Sequence, residues 1–493
     1  MPSFNTRNAI SRFLGSLLGK KSDQIDSELP FVAMIFTVMA ASGVTLYESW
    51  KKLRSITLLP TIQKEARDVV RQVEVLGHDA VTVMYKKAEE TRSKLYRDFL
   101  AGYVSAVKSG GNLVSFLNSK LRSIFEMRSA DANRSIEKLA TLVEAYSVML
   151  IVSLCVYLLV IVVYSTSSVL ELGAPQSTPT NIYISIFFLT PLISIIFMVI
   201  AHKMQKSTLI DVKEPYQRAI FPMIGTLCLI VAVTFVPQLG FVTELLPLPL
   251  LVSICLLIVS IPPAISYHNI AKRNFSAEEE MPSFLRDVTE ARKTGLSPEK
   301  SIIHASKRKG HGKFSEYLRL IRDQLEWGIS LRKIFRNIKR EIQSWPVLVD
   351  FLILVETIEV GGGSTTALEI LSEYSEKSRD IEKNKRAMLK PYIILAFIWS
   401  ILMALTVTSM IYILTQISLP DLTGTPFVTI QSQVDVFSAG IIFQCWLSGF
   451  FIGKISEGTF AAGFKYSAML IVASYASLLL SQKFLSSLMV GVL

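Results

Sequence analysis

The chain has 493 residues, 51% hydrophobic and 18% charged, with 51 Lys and Arg against 40 Asp and Glu for a formal net charge of +11. Its apolar residues gather in blocks of about the 20 residues that a bilayer-crossing helix needs, which excludes an ordinary water-soluble globular protein. Membrane topology and anionic headgroups account for the basic excess, so nucleic acid is not an expected partner.

Taken in chain order, Met1 to Lys21 sets Arg7, Arg12, Lys20 and Lys21 around short apolar stretches and has no cleavable-signal pattern. Residues 1–28 read as a cytoplasmic N-terminal segment. Residues 29–142 follow as a polar unit with apolar residues at three- and four-residue intervals, the pattern of a helical bundle. Four apolar segments, 143–165, 182–201, 219–237 and 246–266, fill residues 143–266. Pro191, Pro222, Pro247, Pro249, Pro262 and Pro263 within them predict kinked helices whose freed carbonyls need neighbours. A second polar unit occupies 267–390, and three further segments, 391–415, 436–453 and 466–482, lie in 391–493. The expected fold class is all-α: a polytopic membrane protein with about seven transmembrane helices and two duplicated cytoplasmic helical-bundle domains.

Residues 29–142 and 281–390 read as two copies of one unit at a constant offset of 252. Leu29-Pro30 aligns with Met281-Pro282, Gly43 with Gly295, and Ser109-Gly110-Gly111-Asn112 with Gly361-Gly362-Gly363-Ser364, all without a gap. The duplication also decides how to read Leu29 to Tyr47, a run without charge. Its counterpart carries Arg286, Asp287, Glu290, Arg292 and Lys293, which at about 2.5–3.5 kcal/mol each near a bilayer centre would not insert. A buried or membrane-surface helix is predicted there.

In the second copy Val347, Phe351, Leu354 and Ile358 fall on one helical face. Gly361, Gly362 and Gly363 are predicted to end that helix, as Gly110 and Gly111 do in the first copy, with Ser364 or Thr365 capping the next. The loops 166–181, 238–245 and 416–435 hold Glu171, Glu244, Asp421 and Asp435 but no Lys or Arg. The positive-inside rule then puts the N-terminus and both polar units in the cytoplasm and the C-terminus outside the cell membrane.

Reactive chemistry is not indicated. No Gly-x-x-x-x-Gly-Lys-Ser/Thr phosphate cradle, His-Glu-x-x-His or Gly-x-Ser-x-Gly string occurs. Cys155, Cys228, Cys255 and Cys445 sit singly in apolar segments, and Gly310 and Gly312 break the helix between His304 and His311. No catalytic residue, metal site or cofactor is expected. Outside loops of about 20 residues leave little material for a receptor domain, and the centres of the spans lack the ionisable groups of an ion-coupled transporter. A transporter or channel is kept as the alternative reading. Gly449 and Gly453 have the small-x-x-x-small spacing that serves packing within one chain and a homodimer equally.

Gly102-Tyr103-Val104-Ser105-Ala106-Val107 followed by Ser109-Gly110-Gly111-Asn112, and Glu356-Thr357-Ile358-Glu359-Val360-Gly361-Gly362-Gly363 in the second copy, give the chain its family likeness. With the duplication and the exit of each copy into membrane, it resembles the F-type platform proteins of type II secretion systems, type IV pili and the archaellum, in an archaeal two-repeat form. The resemblance implies a non-enzymatic base in the cell membrane that couples a cytoplasmic hexameric secretion ATPase to assembly of pilin-like subunits. On that reading the basic clusters Lys307-Arg308-Lys309 and Lys383, Lys385, Arg386 are the candidate dock, with contact to the lipid bilayer as the other reading.

Overall fold

A computed structural model describes residues 6–169, 188, 190–205, 209, 212–235, 247–308, 310–417 and 427–490. These are helical, with no strand among the described residues. The chain divides into two compact units: Met1–Ala132 with Arg273–Lys383, and Asn133–Lys272 with Asn384–Leu493. The first holds the polar parts of both repeats, which share a single unit, and the second holds the apolar segments.

In the repeat unit each helix of the first copy has a partner in the second. α1 (Thr6–Ala41) ends where α9 (Leu248–Lys293) ends, 252 positions on. α2 (Leu46–Leu53) corresponds to α10 (Pro298–Ser306), α3 (Pro60–Glu74) to α11 (Ser315–Glu326) and α4 (Ala80–Glu90) to α12 (Leu331–Glu341). α5 (Lys94–Lys108) corresponds to α13 (Trp345–Gly361), and α6 (Leu113–Val169) to α14 (Thr365–Ile417). Even the caps recur: Thr45 Oγ1 accepts from Glu48 N at 3.4 Å and Ser297 Oγ from Lys300 N at 3.4 Å, each satisfying a first-turn donor.

The offset is not constant, however. It is 252 at both ends of the repeat but 251 in the middle, where N-caps Asp79 and Ser93 answer to Ser330 and Ser344. Five residues, Val75 to Asp79, join α3 to α4, whereas four, Trp327 to Ser330, join α11 to α12. The register returns to 252 because α13 runs two residues longer than α5 (17 against 15) while the turn after it is one residue shorter.

That turn has the geometry of a left-handed cap. Gly110 (φ 67°) and Gly362 (φ 62°) occupy the same place, and Gly363 (φ 70°) follows in the second copy. The Gly363 N–H reaches back to Thr357 O at 3.1 Å, closing the end of α13 as a Schellman-type bond does. Gly361 is the last helical residue and Gly111 has no positive φ. α14 begins at Thr365, directly after Ser364.

The uncharged run near the N-terminus is inside the repeat unit. Gln24–Ala41 is long and apolar enough to cross a bilayer, yet 72% of it is buried in the protein. Leu29, Phe31, Val32 and Ala33 have no exposed surface, and Phe36 packs edge-on against Trp50, Phe99 and Tyr103. α13 is buried on every side: beyond Val347, Phe351, Leu354 and Ile358, the residues Leu348, Val349, Leu352, Ile353 and Val355 are also covered. A helix buried on nearly every face belongs at the centre of a bundle, and its Asp350 and Glu356 need partners there.

In the apolar unit, stretches long enough to span lie in α6, α9, α14, α15 (Phe427–Glu457) and α16 (Ala461–Val490). The expected spans at 182–201 and 219–237 fall partly outside the described residues, which show α7 (Thr190–Met204) and α8 (Glu214–Phe235) there. The loop 238–245, and most of 166–181 and about half of 416–435, also lie outside them.

Gly449 and Gly453 are used within the chain. A Cβ at Gly453 would stand 2.5 Å from Gly463 Cα and 2.8 Å from Ala462 C, one at Gly449 would meet the backbone of Ser467, and one at Gly463 would come within 2.6 Å of Phe450 Cα. α15 and α16 thus meet backbone to backbone, as helices do in lipid when dispersion rather than water expulsion holds them. Gly453→Val should therefore lower the melting temperature of the detergent-purified protein, since overpacking costs about 1–3 kcal/mol. Gly225→Ala, at a position where a Cβ meets nothing, should leave it unchanged; equal melting of both variants would show that this contact is not tight.

Candidate functional site

Two acidic positions of the repeat, 26/278 and 28/280, tie each copy together. The Ser93 hydroxyl donates to Asp26, and Ser344 Oγ donates to Glu278 Oε1 at 2.7 Å. Glu28 accepts from Thr61 N (3.1 Å) and Ile62 N (2.9 Å). It thereby caps α3, whose own N-cap residue, Leu59, has no side-chain acceptor. Glu280 instead lies 3.5 Å from Nδ1 of buried His311, whose other nitrogen is 3.6 Å from Asp287. These contacts join residues 24 to 67 positions apart, and sequence periodicity carries no signal for them.

The copies meet around α13. Trp345 Nε1 donates to Leu58 O at 3.0 Å while its ring meets Phe31 edge-on at 4.4 Å, and Tyr374 reaches Asn118 at 3.3 Å. Two buried ionisable groups, one from each copy, lie at the same junction without an ion pair between them. Arg128 stacks over the Phe31 ring at 4.8 Å, and Asp350 accepts from Ser375 Oγ at 2.5 Å. Burial pushes the Asp350 carboxyl up to about 7, with Ser375 and the Arg128 charge opposing it, and burial likewise lowers Arg128. Glu356, from the string that carries the family likeness, is buried too. It binds Arg332 at 2.7 Å, with Lys52 of the first copy 4.0 Å away, and burial raises its carboxyl despite both cations. Arg292 donates to Gly363 O (3.0 Å) and Gly362 O (3.3 Å), fixing the glycine turn from outside.

The structure pairs much of the basic surface picked out in the sequence. Lys307 binds Glu326 at 3.3 Å, Arg308 binds buried Asp287, and Lys383 binds Glu279 at 3.2 Å. Lys309 lies outside the described residues. Lys385 and Arg386 fall in the apolar unit, across the boundary from Lys383.

In the apolar unit a polar cluster interrupts the packing. Tyr146 Oη is 2.8 Å from Ser448 Oγ and 3.1 Å from Ser194 Oγ, and Gln444 Nε2 donates to Ser194 at 2.7 Å. It borders a mostly apolar cavity of about 60 Å³ walled by α6, α14 and α15. Among the described residues no group of His, Cys, Asp and Glu could hold a metal ion.

Fold and contacts together define a class: a duplicated, polytopic all-α membrane protein whose polar unit is held by buried ionic ties. The chain matches the family described as Type II secretion system (T2SS), protein F, over residues 33–162 and 284–412, more than half its length, and it belongs to that family. The two matched segments begin 251 residues apart, so the family unit occurs once in each repeat. An uncharacterized protein of Methanocaldococcus jannaschii is 20% identical over 485 residues, covering 93% of this chain and 80% of the relative. No solved structure matches the chain.

The Asp350 site gives a pH dependence. Its carboxyl holds a proton more tightly folded (about 7) than unfolded (about 3.9). Between those values the native state binds more protons, so this group's contribution to stability is full below about pH 4 and is lost as pH rises through 7. Asp350→Asn should flatten the fall in stability of the full-length protein between pH 5 and 8, measured by denaturant unfolding at several pH values. An unchanged slope would mean that another group titrates there.

Proposed function

We propose that this chain is the platform of a type IV pilus-like filament assembly machine in the cell membrane, a non-catalytic base on which a cytoplasmic hexameric secretion ATPase and pilin-like subunits converge. The observation that carries this reading is the occurrence of the family unit once in each repeat. Supporting it, α6 and α14 each start at a glycine turn and continue without a break through an apolar stretch of spanning length. A continuous helix is a stiff element, suited to passing displacement from a driven surface to the bilayer.

On this proposal the N-terminus and both repeats face the cytoplasm and the C-terminus faces outward, following the bias of Lys and Arg among the connecting segments. The basic residues of the polar surface, including those at 307–309 and at 383, 385 and 386, face the ATPase or the lipid headgroups. Contact between two copies of the chain would use surface other than the occupied face of Gly449 and Gly453.

Deletion of the gene should abolish surface filaments, seen by electron microscopy, and restoration of the full chain should return them. The purified protein in proteoliposomes should show no autonomous solute flux. Normal filaments in the deletion strain together with specific flux in the vesicles would overturn the platform reading in favour of a transporter.

A further inference from the structure

The two copies share a backbone but not a surface, and the largest difference is on α12. Lys333, Arg336, Lys339 and Arg340 are all exposed on this helix, with Glu341 as the one exposed acid. At the matching positions of α4, 251 residues earlier, Thr82, Tyr85 and Glu89 stand in place of Lys333, Arg336 and Arg340. Topology-setting charge acts on loops of either copy alike, so it does not explain a basic stripe confined to the second.

Of the cations on α12, Arg332 is ion-paired and Lys339 donates to the Thr57 hydroxyl, but the other three are not neutralised. Arg332 belongs to the internal tie with Glu356 and Glu359 (2.7 and 3.0 Å). Among the described residues, no carboxylate lies within 4.0 Å of Lys333, Arg336 or Arg340. Spacings of three and four put the three on one face along about 10 Å of helix. On the shortened turn between α11 and α12 that leads into this helix, Trp327 is 82% exposed. Gly328 fixes that turn with φ 74°. The first copy has an exposed Val75-Leu76 there, without the indole and without the stripe.

We infer that Trp327 with the Lys333, Arg336 and Arg340 face of α12 is a docking surface for a protein partner that presents carboxylates around a pocket for one aromatic side chain. An exposed indole on a tight turn that leads into a helix carrying two exposed guanidinium groups has the composition of an interface hot spot. Charge complementarity with an acidic surface supplies register and encounter rate. A lipid surface suits the feature less well. An interfacial helix lays its apolar face into the headgroups, whereas Leu331, Ile334 and Ile338 of α12 are buried in the core of the repeat unit.

The inference deepens the platform reading by placing a partner on one repeat, and the test separates the two. Trp327→benzoylphenylalanine in the full-length chain, irradiated in native membranes, should give a protein adduct whose crosslinked peptide is acidic. The combination Lys333→Thr, Arg336→Tyr, Arg340→Glu transfers to α12 the residues that α4 carries at the same positions, so the fold is kept, as an unchanged melting temperature would verify. Adduct yield should fall about tenfold in that background and also in 0.5 M salt, where surface charges are screened. Equal yield in the two backgrounds, an adduct with lipid or nucleic acid alone, or no adduct would overturn the docking surface. Loss of filaments on deletion would still uphold the platform. An adduct with an acidic protein other than an ATPase would support the surface and count against the ATPase as its occupant.

Discussion

A charged group taken out of water must be compensated, and the repeat unit is arranged around two such groups. Arg128 comes from the first copy and Asp350 from the second; they form no ion pair, and each is met by a neighbour of its own. Ser375 donates to the carboxylate and the Phe31 ring lies against the guanidinium. α1, α6, α13 and α14 must therefore be in place together for either charge to be tolerated. Around this junction Trp345 with Phe31 and Tyr374 with Phe125 add aromatic contact, and Lys52 near Glu356 adds an ionic approach between copies. The consequence is cooperative: neither copy completes its own core, because the buried, mostly apolar α13 is covered from both.

Parts of this were legible in the residues. Glycines that must adopt positive φ cannot drift without strain, so Gly43 with Gly295 and Gly110 with Gly362 hold the repeat in register after most side chains have diverged. Helix continuity into apolar sequence was equally open to reading. Three things were not. The single-residue slip at Val75-Leu76 against Trp327 lies in a turn, where helical periodicity has no phase to compare. The acid-to-serine clasps at 26 and 93 and at 278 and 344 join residues too far apart for any local pattern. Residue counting also cannot tell a paired cation from a solvent-facing one, so the clusters at 307–308 and at 383 stood out although Glu326, Asp287 and Glu279 partner them.

The apolar unit obeys a different rule. Within lipid there is no water to expel between helices, so association rests on close backbone approach and on polar side chains that find each other. Both devices are present: Gly449, Gly453 and Gly463 bring α15 and α16 together, and Tyr146, Ser194, Gln444 and Ser448 bond across three helices. A transported ion would need ionisable ligands at that depth; the cluster offers hydroxyls and an amide, which suits structural cohesion.

Duplication supplies an internal control that a single-copy fold lacks. Where the copies agree, at caps, left-handed glycines and acidic clasps, the backbone imposes the residue. Where they differ in the interior, as at Glu356, the difference is absorbed by a new partner such as Arg332. A surface difference has no such compensation inside the molecule. The backbone that accepts Thr82, Tyr85 and Glu89 on α4 has no structural need for Lys333, Arg336 and Arg340 on α12, and three like charges on one face repel each other by a few tenths of a kcal/mol per pair. A feature that the fold neither requires nor neutralises points outside the chain, and its restriction to one copy gives a duplicated scaffold a single point of attachment.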